Sequence, residues 1–433
     1  ENSMKINAVL DVNVVAHEAA DEVAVLLEME APAAPADVTR PQASLQVVLD
    51  RSGSMNGAPL EGAKKALIAL IRRLEPTDNF GLVTFDDSAQ VVVPAGQLTD
   101  KQAVIAQIAA VQAGGTTDLS AGYIRGLREI RRVATAGGTV LVVSDGHVNA
   151  GIRDADEFAS LTAAAYNNRI VTSTLGYGRG YDETLLSAIA RSGSGNHVFA
   201  NDPDAAGAAI AGEVDGLLNK VIQALSLTIA FEPAVEFLRL YNDLPAAQIG
   251  DRRVMVELGD LYAEEARKVL LKFKVPAMAS LGLARIATLE LAYVELPGFV
   301  EQVVALPISV NVVPGDEAAG RIPHPTVHSE LLFQEAQDAK RQASEAFERG
   351  EFEEGQRLLG ETKARLAASL DVAPEALKPE IRTELDEVEQ MDQMSIDMGV
   401  AAAPMMSKMS RESFHRGNRK RGRITRPESR DAE

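Results

Sequence analysis

Asp50, Ser52 and Ser54 alternate along the stretch Asp50-Arg51-Ser52-Gly53-Ser54, directly after the apolar run Leu45-Gln46-Val47-Val48-Leu49. That run is apolar on both faces, the mark of a strand buried in a parallel sheet. Where it breaks off, one carboxylate and two hydroxyls can converge on a point, and Gly53 lets the backbone turn tightly between them. Such a point suits a small hard cation. Mg²⁺ takes oxygen ligands at about 2.0–2.1 Å in an octahedron and gives up its waters reluctantly, so these three side chains would supply part of its shell. Asp and Ser after a strand also cap the helix that follows, and the stretch taken alone fits either reading. Two further oxygen-bearing loops follow it. Gly114-Gly115-Thr116-Thr117-Asp118-Leu119-Ser120-Ala121-Gly122 lies between two helical stretches, and Thr139–Gly146, TVLVVSDG, is a second buried strand that ends in Asp145.

Together and in this order, the three motifs resemble the metal-ion-dependent adhesion site of the von Willebrand factor type A family, over roughly Pro41 to Ile222. The resemblance assigns Asp50, Ser52 and Ser54 to the first motif, Thr117 to the second by its spacing to Gly122, and Asp145 to the third. Thr116 is the rival for the threonine. By the same resemblance the Ser52, Ser54 and Thr117 hydroxyls hold Mg²⁺ directly, with Mn²⁺ or Ca²⁺ as substitutes, while Asp50 and Asp145 act partly through water. A Glu or Asp of a partner protein then completes the octahedron. The stretch IGDRRVMVELGDLYAEEARKVLLKFKVPA, from Ile249, is also similar to the β-rich region that follows the type A domain in bacterial relatives of the inter-alpha-trypsin inhibitor heavy chains.

The elements that must position these residues follow from the hydrophobic period. Strands are predicted at 45–50, 80–85, 90–94, 140–144, 170–175 and 197–200, alternating with helices at 59–74, 101–112, 119–134, 154–167, 183–192 and 203–222, which makes a doubly wound sheet. In such sheets ligands bind beyond the carboxyl ends of the strands, where Asp50 and Asp145 fall. Two strands are expected within residues 5–30. From Leu225 the period becomes two, as in Leu225, Leu227, Ile229 and Phe231, the pattern of antiparallel strands with one wet face. The expected fold class is therefore multidomain: an α/β, Rossmann-like type A domain (41–223) inserted in an antiparallel β-sandwich (4–40 and 224–316) and followed by a helical module (325–396). Residues 397–433, with six basic and no acidic side chains from Arg416 to Arg426, read as a disordered basic tail. Its partner is open; folding back on this acidic protein is favoured over RNA or anionic lipid.

Composition narrows the function classes. The excess of 62 acidic over 43 basic residues gives a net charge of −19, which repels duplex nucleic acid. The absence of Cys and Trp excludes disulfides, thiolate metal sites and indole stacking platforms. No apolar run approaches the 20 or so residues of a membrane span and no signal peptide is visible, so the expected location is cytoplasmic. The Asp86-Asp87-Ser88 step reads as a solvated hairpin turn. His324 and His328 have helical metal-ligand spacing, but Pro325 argues against it, and they read as surface residues. His147 could line the rim of the Asp145 site, or have no role. Gly176–Gly180 lacks the ending of a phosphate loop and reads as a turn. No hydrolytic triad appears. The expectation is a non-enzymatic, divalent-cation-dependent protein-binding module, with an Mg²⁺-assisted phosphohydrolase and a scaffold with a purely structural metal as the alternatives.

Overall fold

The computed structural model describes residues 3–35, 39–145, 148–177, 182–200 and 203–419. The chain opens with β1 (Lys5–Leu10), β2 (Val14–Ala16) and β3 (Asp21–Glu30), three strands where two were expected. The extra break comes at Asp11, whose carboxylate accepts hydrogen bonds from Val12 N at 2.7 Å and from Ala24 N at 2.8 Å and so turns the chain.

A six-stranded sheet follows, made of β4 (Ser44–Asp50), β5 (Asn79–Phe85), β6 (Ala89–Gln97), β7 (Gly138–Ser144), β8 (Ile170–Tyr177) and β9 (Ser194–Ala200). The spatial order is β6-β5-β4-β7-β8-β9, and all neighbours are parallel except β5 and β6. Its helices are α1 (Ala58–Arg73), α2 (Lys101–Ala109), α3 (Leu119–Ile130), α4 (Ala155–Tyr166), α5 (Glu183–Ser192) and α6 (Pro203–Leu218). Both faces are covered, which explains the continuous apolar runs. Val47 and Leu49 pack with Leu67 of α1 and Ile210 of α6 on one face. Val48 and Val142 pack with Tyr123 of α3 and Phe158 of α4 on the other. Four of the helices start at an Asp (Asp100, Asp118, Asp154, Asp182) whose side chain accepts from a backbone N–H in the first turn. This is a Rossmann-like α/β domain.

Helix α6 stops at Leu218, short of the expected Ile222, because Val221 and Ile222 already belong to the next strand and its core. That strand, β10 (Lys220–Phe231), leads into β11 (Glu236–Leu240), β12 (Ala246–Gly250), β13 (Arg253–Tyr262), β14 (Ala266–Val275), β15 (Gly282–Glu295) and β16 (Val300–Val313). With β1 to β3 they form two sheets, ordered β1-β3-β14-β11 and β12-β13-β10-β15-β16-β2. Strand β3 pairs with β14 from Asp21↔Val275 to Glu30↔Ala266. Its Val23, Val25 and Leu27 enter a core shared with Leu225, Leu227, Ile229 and Leu289 of the other sheet. Its Ala24 and Leu26 face the opposite way, onto Val327.

Val327 belongs to the first long helix of a bundle. After the short α7 (Gly315–Ala319) come α8 (Pro325–Glu348), α9 (Phe352–Val372) and α10 (Lys378–Met398), then a 3₁₀ turn at Gly399–Ala402 and α11 (Ala403–Arg419). His324 caps the start of α8 in an exposed position, and among the described residues it and His328 form no metal cluster.

The disordered tail expected from residue 397 is corrected here as far as Arg419. Its Met, Ala and Ser residues recur at helical spacing, so Ala402, Met406, Ser410, Ser413 and Phe414 share a buried face. That face docks on three neighbours. Ser407 Oγ donates to Glu183 Oε1 of α5 at 3.2 Å, Arg411 reaches Glu348 of α8 at 2.8 Å, and Asn418 Nδ2 donates to Tyr241 O at 2.8 Å. Arg416 pairs with Glu387 of α10, so this first basic residue does turn inward. The basic segment from Lys420 on, and His147 and Gly178–Gly180, lie outside the described residues. Among the described residues no helix is long and apolar enough to cross a membrane.

Candidate metal centre

β4 delivers Asp50 to the carboxyl edge of the sheet, fully buried, where Asp50 Oδ1 accepts from Ser52 N at 2.8 Å and Oδ2 from Ser144 Oγ at 2.6 Å. The chain then makes one 3₁₀ turn, Gly53–Met55. This brings Ser52 Oγ within 3.1 Å of Ser54 Oγ, and Ser54 Oγ donates to Asp145 Oδ1 at 2.9 Å. Four of the five predicted residues thus lie on one hydrogen-bonded line, Asp50, Ser52, Ser54 and Asp145. Ser52 is buried, Asp145 half-buried and Ser54 exposed, so the line runs from the sheet edge to solvent.

Thr117 sits in the adjoining loop. Two backbone bonds lash that loop to the first: Gly114 N to Arg51 O at 2.8 Å and Gly53 N to Gly115 O at 3.2 Å. Thr117 is buried, Thr116 exposed. Asn149 Oδ1 accepts from Thr117 N at 3.0 Å, and Thr117 O accepts from Asn149 N and Ala150 N, both at 3.2 Å. Behind Thr117, α3 lies close on the sheet because Gly122 carries no side chain; a Cβ there would stand 2.6 Å from the Phe85 ring.

Sequence reasoning missed three contributors. Asp86 is not a solvated turn residue: it is 4% exposed and pairs with Arg51 at 2.6 Å. The signal was available, since Asp86 directly follows a buried strand, as Asp50 and Asp145 do, and Arg51 lies in the loop opposite. Ser144 was legible in the same way, next to Asp145. Nothing in the sequence marked Asn149.

The electrostatics are those of an uncompensated site. Burial raises the Asp50 pKa above the ordinary carboxylate value, Asp86 adds to the push, and the bonds from Ser144 and Ser52 offset part of it. Asp145 is pushed up to about 6, mainly by burial and then by the Asp50 charge, against the Ser54 hydrogen bond. The nearby guanidinium of Arg51 is spent on Asp86, and among the described residues no Lys or Arg forms an ion pair with Asp50 or Asp145. What remains is a set of hard oxygen donors, two carboxylates and three hydroxyls, that fits a small divalent cation. Among the described residues no group of three or more His, Asp or Glu is placed to hold a metal ion by itself.

The family model of the von Willebrand factor type A domain matches residues 45–209, from the start of β4 into α6 and across all three loops. This part of the chain is a type A domain. An uncharacterised protein of Synechocystis is 32% identical over 164 residues, which are 38% of this chain and 39% of that protein. The inter-alpha-trypsin inhibitor heavy chain H1 of Mesocricetus auratus is 27% identical over 37% of this chain and 19% of its own length. The chain thus spans well under two thirds of the length of these curated relatives. A solved von Willebrand factor type A protein from Catenulispora acidiphila has the same fold over 89% of both chains, with a TM-score of 0.71 at 16% identity.

Proposed function

We propose that the type A domain is a divalent-cation-dependent protein-binding module, with Mg²⁺ bridging to an acidic side chain of a partner protein. The observation that carries the reading is the line Asp50–Ser52–Ser54–Asp145, buried at one end, open at the other and, among the described residues, without a Lys or Arg paired to it. Ser52, Ser54 and Thr117 would hold the ion through their hydroxyls, and Asp50 and Asp145 would supply its charge balance. When bound, the ion offers an electrophilic position to a carboxylate from outside. The chain's own part is positioning. Ser144 and Ser52 N–H hold both oxygens of Asp50, Asn149 and the Gly114 and Gly53 amides hold the Thr117 loop against the first, and exposed Ser54 marks where a partner would arrive. We further read the two sheets around their common core as one β-sandwich into which the type A domain is inserted. The shared packing of Val23, Val25 and Leu27 with Leu225, Leu227 and Ile229 supports that reading.

The test is capture of protein ligands from native lysate in Mg²⁺ and in EDTA, beside calorimetric titration of the purified chain with Mg²⁺. Metal binding together with Mg²⁺-dependent capture that is lost in Ser52→Ala/Ser54→Ala is the expected result. Metal binding without metal-dependent capture would replace this reading with a purely structural ion. No binding at all would remove it.

A further inference from the structure

Arg51 places a permanent positive charge inside the loop proposed to bind a cation, between Asp50 and Ser52. A cation site tolerates that only if the charge is cancelled close by. Asp86 does this. Its carboxylate lies 2.6 Å from the Arg51 guanidinium, and both side chains are sheltered, 5% exposed for Asp86 and 27% for Arg51. The pair is built in from both sides. Arg51 N donates to Phe85 O at 2.9 Å and Arg51 O accepts from Gly114 N at 2.8 Å, while Asp86 O accepts from Asp118 N at 2.7 Å, next to Thr117. Gly115, at φ +75°, lies directly on the carboxylate; a Cβ at that position would come within 2.7 Å of Asp86 Cβ. The charge of Asp86 is also felt at Asp50.

We propose that Asp86 is a positioning and charge-balancing residue of the metal centre: it neutralises Arg51, so that a divalent ion meets the charge of two carboxylates, Asp50 and Asp145, and no more. The inference rests on the metal-binding reading above. It predicts effects of opposite sign. Asp86→Asn leaves Arg51 uncancelled beside the ion and weakens Mg²⁺ binding by roughly tenfold, whereas Arg51→Gln leaves Asp86 as a third negative charge and tightens it by a similar factor. The double variant Arg51→Gln/Asp86→Asn is neutral like the native pair and returns to within about threefold of the wild type. Arg51→Lys keeps the charge and stays near wild-type affinity.

The experiment is calorimetric titration of the four variants and the wild-type full chain with Mg²⁺ alone, with melting temperatures in EDTA to report on folding. Opposite signs for the two single variants, cancelling in the double, are the expected result. A pair that served only to brace the loops would weaken binding in both single variants and leave the double as weak as they are. That pattern would overturn the charge-balance inference while leaving the metal reading in place. A wild type that bound no Mg²⁺ would remove the metal reading and this inference with it.

Discussion

Asp50 at the proposed metal centre and Glu384 in the helical bundle are both buried carboxylates, 0% and 4% exposed, and the chain serves them in different ways. Around Glu384 it supplies cations of its own. Lys340, fully buried, pairs with it, Arg416 lies 3.8 Å away, and Ser413 Oγ and Gln337 Nε2 donate to it at 3.1 and 3.2 Å. Burial alone would raise the Glu384 pKa, but the charges of Lys340 and Arg416 bring it well below the ordinary range. Lys340 is pushed down by its own burial, against the pull of Glu384. Around Asp50 the described residues supply a hydroxyl and an amide but no paired cation, and the pKa goes up. The first cluster is closed and holds α8, α10 and α11 in register. On the proposed reading, the second is closed only when a cation arrives from outside. A buried acid with its counter-charge in the chain is a structural element; one without it marks a binding site.

The largest effect is expected on the closed side. Glu384→Ala would strand Lys340 in the bundle core, and removing one partner of a buried pair costs about 3–5 kcal/mol. Urea unfolding followed by helical circular dichroism measures it. Replacing both partners by apolar residues, Lys340→Met/Glu384→Leu, should recover most of that loss. A double variant as unstable as the single one would mean that the pair does more than balance charge.

Asp50→Ala is the matching test on the open side, and a smaller one. In EDTA the substitution should cost little, because it removes a buried charge that no Lys or Arg among the described residues pairs with. In Mg²⁺ it should abolish the stabilisation of the wild type, about 2.7 kcal/mol when free metal stands a hundredfold above its dissociation constant. Melting curves with and without Mg²⁺ check both halves. A loss of stability in EDTA as large as that of Glu384→Ala would break the contrast between the two carboxylates.

This contrast was half legible in the sequence. The strand-ending Asp50 and Asp145 and the hydroxyls between them could be read because each motif is local, one strand and the turn after it. The same locality exposed the alternating strands and helices of the type A domain, whose period needs no knowledge of partners. Asp86 was misread because its role depends on Arg51, which is 35 positions earlier and meets it only when β4 and β5 pair. The bundle cluster was invisible for the same reason: Lys340, Glu384 and Ser413 sit on three helices, and each alone looks like a surface residue. Helix α11 was lost for a different reason. Its composition, rich in Met, Ala, Ser and Arg, is that of a tail, and only the groove it fills makes its polar side worth burying.

The smallest expected effect is also the one that separates Asp145, on the open side, from Glu384 by sign. Burial pushes the Asp145 pKa from the ordinary 3.8 up to about 6, so without metal the folded state holds its proton more tightly than the unfolded state does. Its contribution to stability is complete below about pH 4 and is lost as the pH rises through about 6. Glu384 runs the other way. With its pKa lowered from 4.5, it stabilises the fold above that value and loses its effect as the pH falls. Mg²⁺ should invert the slope at Asp145, because the cation requires the ionised carboxylate, and the metal-induced gain in melting temperature should therefore grow between about pH 4 and pH 6. Asp145→Asn removes the titration while keeping the shape. Compared with the wild type at each pH, it should flatten the metal-free course in that window and shrink the gain from Mg²⁺. If the variant instead kept the wild-type dependence of the Mg²⁺ gain on pH, the proton displaced by the metal would not be that of Asp145, and the open side of the comparison would rest on Asp50 alone.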